Sequence, residues 1–246
     1  DVSGKLKTDG ANLLAVRVRQ ITKEYKFDVF DDWTLGGIYR DVTLEAMPRG
    51  RWIDNVVAQT FFDNRFEDAD LKLRVMVGDK QKSTVPGNYP SPGASYDLRF
   101  ALTDKEGKEV ARRQLTVPAH ISTDREIGLT FRIQSPHHWN AENPYLYKLA
   151  SMIKRDTKTT DEISTPFGIR TISWPVKRND EDGRFYLNGK PVFINGVCEY
   201  EHQFGQSHAF SREQVAARVK QIRAAGFNAF RDAHQPHHLD YQKYWD

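Results

Sequence analysis

From Leu71 to Val77 every second residue is aliphatic, and the positions between hold Lys72, Arg74 and Met76. Successive side chains of a strand point to opposite faces, so this run calls for a sheet with one face on a core and the other toward water. The same alternation returns at Tyr96, Leu98, Phe100 and Leu102, and again at Ile127, Leu129, Phe131 and Ile133. Val57 to Phe62 is apolar and β-prone, Asp104-Lys-Glu-Gly107 turns the chain, and Tyr145–Ile153 and Gly168–Ile172 read as the final strands. Residues 83–95, rich in Pro, Gly and Ser, read as a surface loop. About seven short strands with turns between them and no helical period predict an immunoglobulin-like β-sandwich over residues 49–176.

Residues 1–48 carry a shorter version of the pattern. Leu14, Val16 and Val18 alternate with Ala15, Arg17 and Arg19, and Val42 and Leu44 follow the turn signal Gly36-Gly37. Two or three strands are too few for an independent domain. This block therefore reads as the closing strands of a larger sheet structure whose beginning is missing.

The period changes in the third block, residues 177–246. Asn188-Gly189 stands between the apolar runs Phe185–Leu187 and Pro191–Ile194, a hairpin signal. Ser211 with Gln214 fits a capping box, and Val215, Val219 and Ile222 share one helical face. Gly226 is placed to end that helix, and Phe227–Phe230 reads as a buried strand. A strand over Val192–Val197, the helix and this second strand make a βαβ unit, which requires parallel strands. A sandwich followed by such a unit is the opening of a (β/α)₈ barrel, which needs about 250 residues. Either the barrel continues beyond Asp246 or these residues form a small appendage. The fold class is thus mainly β, with an incomplete TIM barrel at its end.

Composition narrows the function classes. The formal charge is +3, from 36 basic and 33 acidic residues, too small and too scattered for a nucleic-acid footprint. No apolar run approaches the roughly 20 residues of a membrane helix. Fourteen Phe, ten Tyr and five Trp supply ample surface for a core and argue against disorder. Cys198 is the only cysteine, which excludes an intrachain disulfide and leaves the compartment open.

Five stretches, taken in order, resemble glycoside hydrolase family 2, the β-galactosidase-like enzymes. They are Gly36-Gly-Ile-Tyr-Arg-Asp-Val-Thr-Leu44, Trp139-Asn-Ala-Glu-Asn-Pro-Tyr-Leu-Tyr147, Phe167-Gly-Ile-Arg-Thr-Ile172, Leu187–Val192 with Asn195-Gly-Val-Cys-Glu-Tyr-Glu-His202, and Gly226–Pro236. The resemblance implies that residues 1–48 close a jelly-roll sugar-binding domain, that 49–176 form the immunoglobulin-like domain, and that 177–246 begin the catalytic barrel. It implies a retaining exo-glycosidase acting on β-linked sugars, whose two glutamates lie on later barrel strands beyond Asp246. By the same resemblance Arg231 hydrogen-bonds the nucleophilic carboxylate and His234 contacts sugar hydroxyls. Asp232, Glu201 and His202 complete the substrate-binding set. No cofactor is expected in this segment, since the family's cations are held elsewhere. The expected partner is a carbohydrate, with neither nucleic acid nor membrane, and with room for a homo-oligomer. A periplasmic or secreted setting is the family expectation. The chain departs from many β-galactosidases at Cys198-Glu199-Tyr200, where they carry Asn-Arg-His, and at Ala233 and Gln235, where they often carry Ser and Tyr. These positions touch or flank the sugar, so glucuronide and mannoside specificities stay open.

Plainer readings stand beside these. Arg231 is otherwise a solvated arginine after a strand. The histidines His202, His208, His234, His237 and His238 include a run broken by Pro236 and lack a surrounding ligand pattern, so no metal site is assigned. Glu199 and Glu201 point the same way on an extended segment, but nothing sets them across a glycosidic bond. Trp139, Tyr145 and Tyr147 fit core or domain-interface packing better than a sugar platform. Cys198 reads as a small inert hydrophobe. A non-catalytic interaction or spacer module is the alternative function, and the coding sequence after Asp246 separates the two.

Overall fold

A computed structural model describes residues 2–7, 9–19, 37–38, 41–46, 48, 50–79, 95–119, 126–174, 183–199, 209, 211–232 and 244–245. Seven strands make the sandwich: β1 (Arg51–Phe62), β2 (Ala69–Asp79), β3 (Tyr96–Thr103), β4 (Glu109–Val117), β5 (Ile127–Ile133), β6 (Tyr147–Arg155) and β7 (Lys158–Phe167). They form an antiparallel sheet of order β1-β2-β5 and another of order β4-β3-β6-β7. The fourth strand pairs with the third rather than joining the first sheet, giving three strands against four.

The alternation read from the sequence becomes the core. Leu71, Leu73, Val75 and Val77 of β2 face Leu98, Phe100 and Leu102 of β3, with Leu149 and Ile153 of β6 and Phe131 and Ile133 of β5 in the same buried cluster. Phe100 is wholly enclosed. Main-chain and side-chain bonds close the edges: Ile53 N–H in β1 donates to the Asp161 carboxylate in β7 at 2.7 Å, tying the two sheets beside an irregularity in β1. Arg132 lies within 4 Å of Asp63, Asp68 and Asp70, which gathers the β1–β2 turn onto β5.

The final sandwich strand is β7, not the Gly168–Ile172 run expected from the sequence. At Gly168 the chain passes under an indole, where an added Cβ would lie 2.8 Å from Trp139 Cδ1. Trp139 N–H donates to Ile169 O at 2.9 Å, and Ile169 is buried in the core. The chain therefore leaves the sheet there. It re-forms as β8 (Ile172–Ser173), which joins β9 (Phe185–Leu187) and β10 (Lys190–Val192) in a small antiparallel sheet. The β9–β10 turn is Asn188-Gly189, both at positive φ (+50° and +73°), as the hairpin signal requires. Asn188 is also a structural tie. Its Oδ1 accepts from Thr171 N–H and its Nδ2 donates to Trp139 O, both at 2.9 Å. An added Cβ on Gly189 would meet the Phe66 ring at 2.5 Å, so the hairpin turn sits hard against the β1–β2 turn.

Beyond the hairpin come β11 (Gly196–Glu199), α1 (Arg212–Ala224) and β12 (Ala229–Asp232). β11 and β12 are parallel, in the register Gly196↔Ala229 through Glu199↔Asp232. The βαβ unit is thus present, with its first strand starting at Gly196 rather than running on from Val192. Ser211 and Gln214 form the capping box, each side chain accepting the other's backbone N–H. Gly226, at φ +88°, donates to Arg223 O while Phe227 donates to Ile222 O, closing the helix in a Schellman motif.

The strand pattern expected in residues 11–19 and 41–46 is not realised. Those residues form no strand, and Leu14, Val16, Val18, Val42 and Leu44 are exposed. Alternation marks a strand only if another edge takes up its backbone groups, and no described element offers one. The sole regular element before Arg51 among the described residues is a 3₁₀ turn at Ser3–Lys5. No helix among the described residues is long and apolar enough to cross a membrane.

Candidate active-site strands

The chemistry expected of the third block sits on β11 and β12, four-residue strands joined by α1. Ala229 and Phe230 line a cavity of about 390 Å³ with Val219 and Ile222 of α1 and with Trp139 and Pro144 of the sandwich. Phe230 also stacks on Trp245, centroids 4.1 Å apart. The Phe230 ring thus stands with Trp245 on this cavity, beside Val219 and Ile222 of α1. By strand alternation Arg231, with its register partner Cys198, presents to the side opposite Phe230.

Arg231 Nη1 donates to Cys198 Sγ at 3.5 Å, and both residues are exposed. Cys198, read from the sequence as a small inert hydrophobe, is an exposed free thiol. Arg231 and Asp232 are the last residues of β12, so they stand on the strand end rather than past it. Asp232 pairs by main chain with Glu199. Glu201, His202 and His234 lie outside the described residues, as do His208, His237 and His238, and so does the side chain of Asp232. Of the aromatics, Tyr145 and Tyr147 belong to the sandwich core, and the Arg170 guanidinium covers the Trp139 ring at 4.1 Å. Tyr145 and Tyr147 are thus core packing, while Trp139 packs against Arg170 and also lines the cavity.

Two residues at the other end of the strands have no counterpart in the sequence reading. Asn195 and Asn228 precede β11 and β12. Asn228 N–H donates to Asn195 O at 2.9 Å, and Asn195 N–H donates to the Asn228 side-chain Oδ1 at 2.8 Å. Asn228 Nδ2 donates to Phe193 O at 2.8 Å, and Asn195 Nδ2 to Gly226 O at 3.1 Å. Only the 31- to 35-residue separations of these pairs hide them from a local reading.

A seven-stranded sandwich that leads through a hairpin into a strand–helix–strand unit has the architecture of a sandwich-fronted β/α-barrel protein. Residues 52–170 match the family described as "Glycosyl hydrolases family 2", and residues 179–246 match "Glycosyl hydrolases family 2, TIM barrel domain". The chain belongs to glycosyl hydrolase family 2. A β-galactosidase of Kluyveromyces lactis is 28% identical over 239 residues, covering 95% of this chain and 23% of the relative. A β-galactosidase of Alteromonas mediterranea is also 28% identical over 239 residues, covering 97% of this chain and 21% of the relative. Among solved structures, a β-glycosidase from Bacteroides vulgatus aligns with a TM-score of 0.69 at 23% identity, over 86% of this chain and 24% of that one. A β-glucuronidase from Parabacteroides merdae aligns at 0.64 and 18% identity, over 79% and 22%. These two likenesses carry the fold. The chain spans about a fifth of the length of the curated relatives it matches.

Proposed function

We propose that this chain is a segment of a retaining exo-glycosidase that hydrolyses terminal β-linked sugars, with β-galactosides as its substrates and both catalytic glutamates supplied from outside the segment. The supporting observation is the parallel β11–β12 pair, with Arg231 at a carboxyl strand end beside Cys198 of the neighbouring strand. The names of the sequence relatives support the galactoside reading. Retention of configuration needs two carboxyl groups about 5–5.5 Å apart, one a nucleophile and the other an acid and then a base. A guanidinium beside the nucleophile favours its ionised form and, through paired N–H donors, fixes its plane. Arg231 takes that role. Its contact to Cys198 is to a weak acceptor, so an incoming carboxylate displaces it at little cost. His234 donates to and accepts from sugar hydroxyls, and Asp232, Glu201 and His202 complete the substrate-binding set.

The test is an assay of the full-length protein on aryl β-galactoside, β-glucuronide and β-mannoside. Turnover should be fastest on the galactoside and retain the anomeric configuration. Inactivity on all three overturns the reading, and a preference for another sugar overturns the galactoside assignment. Arg231→Ala in that protein should lower kcat by roughly a hundredfold, the scale of losing one charge-stabilising donor; unchanged kinetics would remove Arg231 from the site.

A further inference from the structure

We propose that Asn195 and Asn228 are positioning residues that set the β11–β12 register and thereby place Arg231; this rests on the reading of Arg231 given above. The two strands share only four register pairs, and the first, Gly196↔Ala229, contributes little side-chain packing to fix the alignment. Side chains alternate along a strand, so a slip of one position would turn Arg231 to the other face and shift it by about 3.3 Å. At the amino-terminal end the asparagine pair opposes such a slip. Each side chain reaches across to the other strand's backbone. Asn228 holds Asn195 N–H and Phe193 O, while Asn195 holds Gly226 O in the turn that closes α1. The backbone bond from Asn228 N–H to Asn195 O continues the ladder between the same two residues. A slipped alignment would lose all of these contacts together. Both side-chain functions are used, a carbonyl oxygen and an amide nitrogen, which an aspartate can reproduce only in part.

The experiment uses the full-length protein, with pH–rate profiles for the parent, Asn228→Ala, Asn228→Asp, Arg231→Ala and the Asn228→Ala/Arg231→Ala double variant. A misplaced guanidinium leaves the nucleophile less stabilised as an anion, so the acidic limb of kcat/KM should move to higher pH. Asn228→Ala should show this shift with at least a tenfold loss of kcat and a smaller change in KM. Asn228→Asp, which keeps the acceptor for Asn195 N–H, should recover part of the loss. The double variant should be no slower than Arg231→Ala alone, because the asparagine acts through the arginine. Parental kcat and acidic limb in Asn228→Ala, or losses that multiply in the double variant, overturn the proposal. If Asn228→Ala does not fold, Asn228→Asp and its double with Arg231→Ala decide by the same criteria. If Arg231→Ala itself keeps parental kinetics, the reading of Arg231 falls first; a normal Asn228→Ala beside a crippled Arg231→Ala sinks the positioning role alone.

Discussion

Asn188 shows how much one turn residue can carry. Its positive φ suits asparagine, its main-chain N–H donates to Thr171 O, and its side chain bridges Thr171 and Trp139 from a buried position. Asn188→Ala leaves a part-buried N–H and a part-buried carbonyl without that partner and strains the backbone. It should cost about 1–3 kcal/mol in urea unfolding; a loss below a few tenths would show that water replaces the amide. The Asn-Gly pair was legible in the sequence as a turn. The use of its side chain was not, because its partners lie 17 and 49 residues away. His138 offers a pH test. Burial, and then the neighbouring Lys190 and His137, hold its imidazole below the usual histidine value. The unfolded chain, titrating near 6.5, therefore takes up the proton first. The contribution to stability is full above that value and declines as pH falls toward the folded value. Tm should drop between pH 7.5 and 5.5 and do so less in His138→Gln, which removes the ring that lies 4.5 Å from Phe62. Identical slopes in both proteins would contradict this.

Among the elements, strands with one buried face announced themselves, β5 at the edge of the smaller sheet included, and the two edge strands of the larger sheet did not. β2 and β3 alternate strictly, and their apolar side chains are the core. Phe100→Ala should therefore cost about 3–5 kcal/mol, measured by chemical denaturation of the chain, with a loss under 1 kcal/mol indicating a core that collapses around the gap. β4 and β7 lie at the two edges of the larger sheet, and most of their residues are exposed. Arg112, Arg113 and Gln114 in β4, and Asp161, Glu162 and Pro166 in β7, supply charge and a missing donor, which discourage a further strand from adding. That protection erases the period by which a strand is read. Residues 11–19 show the converse, a clean alternation that forms no strand. The helix was legible at both ends, since the Ser211–Gln214 box and Gly226 act within a few residues of themselves.

For the whole molecule, sequence order was enough to foresee a sandwich followed by the start of a parallel β/α layer. That Arg231 and Phe230 take opposite faces follows from strand alternation. The asparagine pair beneath it needed coordinates, because only parallel pairing brings residues 195 and 228 together. On the proposed function, which has both catalytic carboxylates supplied from outside the segment, the 246-residue chain by itself should not turn over aryl β-galactosides. Turnover above buffer from the purified chain would overturn that. The hairpin turn, meanwhile, is wedged under Phe66 and tied to residues 139 and 171, whereas Phe193 O is held by Asn228. Mechanically, β9 and β10 ride with the sandwich and Phe193 rides with β12. Between those two anchorages runs only the peptide from Val192 to Phe193, and the bond from Arg223 to Glu142 O braces the halves a second time.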